Sequence, residues 1–315
     1  MNTIDLSIVI PAFNEEESIS ELVEWIHRSL APAKLEYEVW FIDDGSTDGT
    51  WQVIEQAHAR YSFVRGIRFR RNYGKSAALN TGFQLCNGSV VVTMDADLQD
   101  SPEEVPELYG MIAGGQYDVV SGWKKVRYDN ALSKNLPSRI YNTVTGWMSG
   151  VRLHDMNCGL KAYRREVVQS IEVFGEMHRY IPVIARSAGF TRIGEKVVQH
   201  RPRKYGYSKF GMSRFVNGFL DLATIMFIGK FGKRPMHFFG ASGLIFFFIG
   251  FCFVFYLSFT KLAFGHVGMT QRPAFFISLV SMIIGSQMFF TGFLAELVTR
   301  NASERNNYQI RNKLP

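Results

Sequence analysis

Cysteine is scarce in this chain of 315 residues. Cys86, Cys158 and Cys252 are too few and too scattered for a disulfide framework or a zinc site, and they read as free thiols in a reducing compartment. Nucleic-acid signatures are missing as well: no recognition-helix motif, zinc-finger spacing or aromatic RNA-binding pattern accompanies the net charge of +7. No secretory leader is recognisable, because Met1–Asp5 is polar and the apolar run Leu6–Ile10 is short and ends at Pro11. The leading part of the chain is therefore expected to stay in the cytoplasm. Charge is absent from two long stretches, Met236–Thr260 and Pro273–Ala295, which contain no Asp, Glu, Lys or Arg.

Each uncharged stretch is long enough to cross a hydrocarbon core, which needs about 20 residues. Two membrane spans are expected over 235–299. The link between them carries only Lys261, His266 and Arg272. Lys230, Lys233 and Arg234 precede the first span, and Arg300, Arg305, Arg311 and Lys313 follow the second. The positive-inside rule puts both flanks in the cytoplasm and the link outside, an inner-membrane protein with two spans. Segment 211–234 mixes apolar and basic residues and reads as amphipathic helices on the bilayer surface, which also offer a surface for homo-oligomers; buried core helices are the alternative. Basic residues crowd just ahead of the spans (Arg201, Arg203, Lys204, Lys209, Arg214), which favours a lipid surface or a phosphorylated substrate over nucleic acid. Residues 300–315 read as a cytoplasmic basic tail.

Residues 1–210 alternate strand and helix signals. Leu6–Phe13, Tyr37–Asp43, Val64–Phe69 and Ser89–Asp95 are short apolar runs of the kind buried in parallel sheets. Helices are expected from Glu15 to about Leu30, from a cap at Asp48 to about Arg60, over Lys75–Leu85, and after Ser101-Pro102-Glu103-Glu104. Asp118–Gly122 reads as a further strand. This is a doubly wound α/β pattern, and ligands of such sheets bind beyond the carboxyl ends of the strands.

Three motifs stand at those ends. Asp95-Ala96-Asp97-Leu98-Gln99-Asp100 places two carboxylates one residue apart on a turn, a pair able to share Mg²⁺, which takes one or two carboxylates and completes its shell with water and phosphates. A polar turn is the ordinary reading of an isolated Asp-x-Asp. Asp43-Asp44-Gly45-Ser46-Thr47-Asp48 can accept hydrogen bonds from a ribose or a base, or it can simply be a turn with a helix cap. Pro11-Ala12-Phe13-Asn14-Glu15-Glu16 is weak alone.

As a set, these motifs and Arg71-Asn72-Tyr73-Gly74-Lys75-Ser76-Ala77-Ala78-Leu79-Asn80 resemble the family 2 inverting glycosyltransferases, whose catalytic domain has the Rossmann-like GT-A fold. Asp155-Met156-Asn157-Cys158-Gly159-Leu160-Lys161, followed by a basic helix start, and Arg203-Lys204-Tyr205-Gly206-Tyr207-Ser208-Lys209 are similar to the branch acting on polyprenyl phosphates, which holds dolichol-phosphate mannose synthases and bacterial polyprenyl-phosphate glucosyltransferases. The resemblance spans nearly the whole chain, including the two spans.

The resemblance implies a nucleotide-sugar site made of Pro11, Ala12, Asn14, Glu15, Asp43, Asp44, Lys75, Asp95, Ala96, Arg203, Ser208 and Lys209. It implies Mg²⁺ or Mn²⁺ on Asp95, Asp97 and Gln99, an acceptor phosphate on Arg139 and Lys161, and catalytic roles for Asp97, Asp155 and Lys161. Many relatives have an arginine where Lys161 stands, and lysine lacks the bidentate fork. The implied reaction moves a hexose, from UDP-glucose in first place and GDP-mannose in second, to undecaprenyl phosphate. A processive polysaccharide synthase is the first rival, but none of the five tryptophans sits in a Gln-x-x-Arg-Trp motif. A membrane-tethered nucleotide-sugar-binding module without catalysis is the second.

Overall fold

The apolar runs fold as strands of one sheet. In the computed structural model, which describes residues 4–125, 145, 146, 149–202, 204, 235–265, 268–301, 308 and 310–314, β1 (Leu6–Ala12), β2 (Tyr37–Asp43), β3 (Val64–Phe69) and β4 (Val90–Thr93) run parallel in the order β4-β1-β2-β3. Helices α1 (Ile19–Leu30), α2 (Thr50–Arg60), α3 (Lys75–Leu85) and α4 (Val105–Ala113) connect them or follow. Alternation along β1 shows why the strand is apolar throughout. Leu6, Ile8, Ile10 and Ala12 join the core under α1, α2 and α4, while Val9 joins the opposite core with Ala78, Leu79 and Phe83 of α3.

The strand order reverses between β1 and β4. A crevice opens at their carboxyl ends, and the motifs after β1, β2 and β4 meet around it.

Beyond β4 the sheet is mixed. β5 (Val119–Trp123), β6 (Lys161–Arg164) and β7 (Ile193–Val197) extend it in the order β7-β5-β6-β4, with β6 antiparallel to both neighbours. Short helices α5 (Arg165–Ser170) and α6 (Ile181–Ser187) lie between them in sequence. The basic helix start expected after Lys161 falls at Arg165, and Lys161–Arg164 ahead of it form a strand. Its backbone pairs with Val90–Thr93, and Ala162 and Tyr163 enter opposite cores.

α1 starts at Ile19 rather than Glu15. Asn14 is left-handed (φ 57°), and the Glu15 N–H donates to Thr50 Oγ1 at 2.8 Å, so this stretch is fastened to the neighbouring loop. The cap of α2 falls at Gly49, one residue after the expected Asp48, and makes no side-chain cap bond; Asp48 instead accepts from Thr50 N, the first helical amide, at 3.0 Å. Ser101 forms no side-chain cap; Pro102–Glu104 make a 3₁₀ turn ahead of α4.

The basic tail expected over 300–315 is corrected in part. Ile310–Leu314 forms β8, antiparallel to β3 with Gly66 opposite Leu314 and Phe69 opposite Ile310. Gly66 suits this contact: a Cβ there would stand 3.0 Å from Ile54 Cγ2 and 3.3 Å from Leu314 Cδ1 and would crowd both. β8 also covers an otherwise open sheet edge.

Two apolar helices, α7 (Pro235–Phe264) and α8 (Pro273–Asn301), make a separate compact unit, both long and apolar enough to cross a membrane. They pack through glycines. A Cβ on Gly243 would stand 2.6 Å from the Gly285 carbonyl oxygen, and one on Gly250 would stand 2.5 Å from that of Ser278. Phenylalanines such as Phe248, Phe251 and Phe255 are left exposed. The interface helices expected over 211–234 lie outside the described residues.

Candidate active site

The loops after β1, β2 and β3 interlock at the crevice. Asn14 holds the β2 loop from both its ends: its N–H donates to Ser46 Oγ at 2.9 Å, and its Oδ1 accepts from Thr47 N at 2.9 Å. Ser18 Oγ donates to the Glu15 carboxylate at 3.0 Å. Asp43 is fully buried. It accepts from Ser46 N at 2.8 Å and is paired with Arg68 Nε at 3.2 Å. Burial raises its pKa against the pull of those partners.

Asp44 takes Tyr73 N at 2.7 Å on one oxygen and Gly74 N at 2.9 Å on the other, while its own N–H donates to the Ala12 carbonyl at 2.9 Å. It thereby clamps the turn that starts α3. Burial pushes its carboxyl up to about 6, against the two amide donors. Gly45 (φ +73°) lets the β2 loop lie flat on the β3 loop; a Cβ there would fall 2.5 Å from the Arg71 carbonyl carbon.

The β4 turn faces this assembly. Asp95 is ion-paired with Lys75, the first residue of α3, and stays one-third exposed. Burial would raise its pKa, but Lys75, Lys124 and His178 outweigh that and hold it at about 2. The backbone of Gly159 lies directly on this carboxylate: a Cβ on Gly159 would stand 2.6 Å from Asp95 Oδ2, and Thr93 Oγ1 holds the Gly159 carbonyl at 2.9 Å.

Ala96 is buried. Asp97 is buried as well, and its Oδ1 accepts from Gln99 N at 3.2 Å across the left-handed Leu98 (φ 62°). Asp100 is buried against Lys124 Nζ at 2.7 Å. The chain leading to Arg203 runs beside this turn: Arg201 N donates to the Gln99 carbonyl at 3.0 Å, and the Arg201 guanidinium lies 4.2 Å from the Trp25 ring centre. Arg139, Arg203, Ser208 and Lys209 lie outside the described residues.

No ring of three His, Cys, Asp or Glu side chains exists among the described residues. The oxygen donors of Asp95, Asp97 and Gln99 nonetheless fit a hard divalent cation, since Mg²⁺ is held by one or two carboxylates plus substrate phosphates. Lys75 already shows that the exposed edge of Asp95 accepts a cation.

Asp95 lines a cleft together with Pro11, Lys75, Asn157, Lys161, His178 and Arg179 among others. Lys161 belongs to the site, yet from within β6. It is almost fully buried, and its ammonium donates to the Cys158 carbonyl. Burial lowers its pKa, assisted by the charge of Lys75 and opposed by Asp155 and Asp95. Asp155 is buried too; its Oδ1 accepts from Asn157 N at 3.2 Å, and the amides of His154 and Asp155 donate to Glu195 Oε1 at 2.6 and 3.0 Å. Asp155 thus shapes the turn that brings Gly159 onto Asp95.

His178, Arg179 and Lys124 escape sequence reasoning. His178 sits in a stretch without periodicity; its Nδ1 is 3.1 Å from Ser76 Oγ, and burial and Lys75 push its pKa well below the ordinary value. Lys124 follows β5 with nothing in the local sequence to single it out.

A profile of glycosyl transferase family 2 matches residues 7–172. The chain is 35% identical over 302 residues to a dodecaprenyl-phosphate galacturonate synthase of Rhizobium johnstonii, covering 95% of this chain and 89% of the relative. It is 36% identical over 301 residues to an undecaprenyl-phosphate 4-deoxy-4-formamido-L-arabinose transferase of Pseudomonas fluorescens, covering 95% and 86%. The fold is shared with glucosyl-3-phosphoglycerate synthase of Mycobacterium tuberculosis, solved with Mn²⁺ and UDP-glucose, at 22% identity and a TM-score of 0.53 over 72% of this chain and 79% of that one. The chain belongs to glycosyltransferase family 2, and its sheet is of the GT-A type.

Proposed function

We propose that this protein transfers a sugar from a nucleoside-diphosphate sugar to a polyprenyl phosphate, with inversion, at the cytoplasmic face of a cell inner membrane. One observation carries the reading: Asp95, Lys75 and Lys161 converge on a single cleft at the strand-order reversal, in a chain that also holds two membrane-length helices. The names of the two relatives support the acceptor. They do not support glucose as the sugar, being named for galacturonate and a formamido-arabinose. We take the donor sugar to carry a charged or strongly polar substituent, in keeping with a cleft lined by Lys75, Lys161 and Arg179.

The acceptor sets the chemistry. A phosphate monoester has a second pKa of about 6, so its oxygen is already anionic and no strong general base is required. That oxygen bonds to the anomeric carbon while the bond from that carbon to the diphosphate oxygen breaks, and the nucleoside diphosphate departs on the far side. Lys161, with Arg139, would hold the acceptor phosphate in line, and Asp155 would fix the turn around Lys161. Pro11, Ala12, Asn14, Glu15, Asp43 and Asp44 would form the nucleoside end, with Asp44 acting through the Tyr73–Gly74 turn. Arg203, Ser208 and Lys209 would cover the diphosphate. Mg²⁺ or Mn²⁺ on Asp95, Asp97 and Gln99 would supply charge neutralisation for that diphosphate.

The test is incubation of the purified chain with undecaprenyl phosphate, Mg²⁺ or Mn²⁺, and a panel of nucleotide-linked galacturonate, formamido-arabinose, glucose and mannose, followed by mass analysis of the lipid. A lipid-linked sugar from one of the first two is expected, and no product from any donor would overturn the reading. Asp97→Ala should abolish transfer while the thermal unfolding midpoint stays put; retained transfer would remove Asp97 from the site.

A further inference from the structure

We infer that Tyr308 and strand β8, which follow the membrane helices in sequence, are positioning elements for the donor half of the active site. This rests on the transferase reading above for its functional consequence but not for its structural one.

The Tyr308 ring centre lies 5.6 Å from that of Phe69 and 5.4 Å from that of Tyr73 in an edge-on arrangement; Phe69 and Tyr73 meet each other edge-on at 5.5 Å. Such pairs are attractive beyond the area they bury. The Arg71 guanidinium also lies over Tyr73, 4.7 Å from its ring centre. The rings of Tyr308 and the buried Phe69 thus hold Tyr73, in the loop between β3 and α3.

On its inner side the same loop gives its Tyr73 and Gly74 amides to Asp44. Gly74 is left-handed (φ +93°), and the next residue is Lys75, whose ammonium pairs with Asp95. The path from Tyr308 to the Asp95 carboxylate therefore runs through one ring contact and three consecutive residues.

β8 supports the loop by a second route. It pairs with Arg68, opposite Asn312, and with Phe69, opposite Ile310. Arg68 is the residue that holds Asp43 at 3.2 Å and the Ser46 carbonyl at 2.9 Å. The strand behind these side chains would otherwise be a free edge, prone to fray. Nothing in the chemistry of transfer requires Tyr308 itself, so it is a positioning residue and not a catalytic one.

The test uses the full chain in detergent, as Tyr308→Ala and Tyr308→Phe. Hydrogen exchange of the Tyr73 and Gly74 amides reads the loop directly, and amides of β1 and β2 report whether the sheet is intact. Tyr308→Ala should speed exchange at Tyr73 and Gly74 about tenfold, the loss of two aromatic contacts, with β1 and β2 unchanged. It should raise the KM for the donor by a similar factor with kcat nearly constant, and weaken binding of UDP or GDP in the presence of Mn²⁺. Tyr308→Phe keeps the ring and should restore all three. Unchanged exchange at Tyr73 and Gly74 would overturn the inference, and so would faster exchange with an unaltered nucleotide affinity. If Tyr308→Ala loosens the whole sheet, the double variant Tyr308→Ala/Tyr73→Ala decides: equal damage from the single and double variants supports coupling through the rings, and additive damage overturns it. A wild-type chain that binds neither nucleotide removes the transferase reading, and the amide exchange still decides the place of Tyr308.

Discussion

Glycine and aspartate share the site in a way that makes single atoms decisive. Gly159 has its backbone against Asp95, so Gly159→Ala would push a methyl carbon to 2.6 Å from a carboxylate oxygen. Transfer should fall by about a hundredfold, as for a misplacement of about 1 Å at a reacting centre, with little change in unfolding midpoint; a steady-state assay with the preferred donor checks it. Gly45→Ala combines a left-handed backbone with a clash on Arg71 and should cost about 1–2 kcal/mol from the backbone alone, read by denaturant unfolding. Asp44 gives a pH signature. Its carboxyl stands at about 6, above the ordinary 3.8, so between those values the folded chain keeps a proton that the unfolded chain has released. Its contribution to stability therefore falls as pH rises from about 4 to 6. Asp44→Asn should make the slope of unfolding free energy against pH less negative across that window, and an unchanged slope would contradict the assignment.

At the scale of elements, the pattern in the sequence is plain where burial is two-sided. β1, β2 and β4 are continuous apolar runs because helices cover both faces, and α3 begins at Lys75 where the periodicity begins. Asp95, Asp97 and Lys75 were legible for the same reason: they stand where such elements end. β6 escaped because its alternation lasts four residues, β7 because Ile193–Val197 is half exposed along its whole length, and β8 because Ile-Arg-Asn-Lys-Leu is an edge strand with the composition of a tail. The strand that carries Lys161 was not legible, since register with β4 is not written in its neighbours. His178 and Lys124 meet Asp95 only through tertiary folding. The helical pair α7 and α8 is held by glycine contacts that bring backbones together. Gly285→Leu should part them, because a Cβ there already meets the Gly243 carbonyl oxygen at 2.5 Å, and a lower unfolding temperature in detergent is the expected result.

Across the whole molecule, one sheet contains residues from before and after α7 and α8. If both helices cross the bilayer, the chain must return to the side it left, whatever its flanking charges. A cysteine at Gly268, in the connection between the helices, should react with a membrane-impermeant maleimide added outside intact cells. One at the exposed Lys34 should react only after permeabilisation, both in a Cys252→Ser background. Equal labelling of both would refute the hairpin. The position of β8 also orders the making of the protein. While a ribosome is still translating the second span, β3 has no outer neighbour, and the Arg68–Asp43 contact rests on an unfinished edge. On the inference above, the nucleotide-binding half is completed only when Ile310–Leu314 has been synthesised and docked, after both membrane-length helices have been translated.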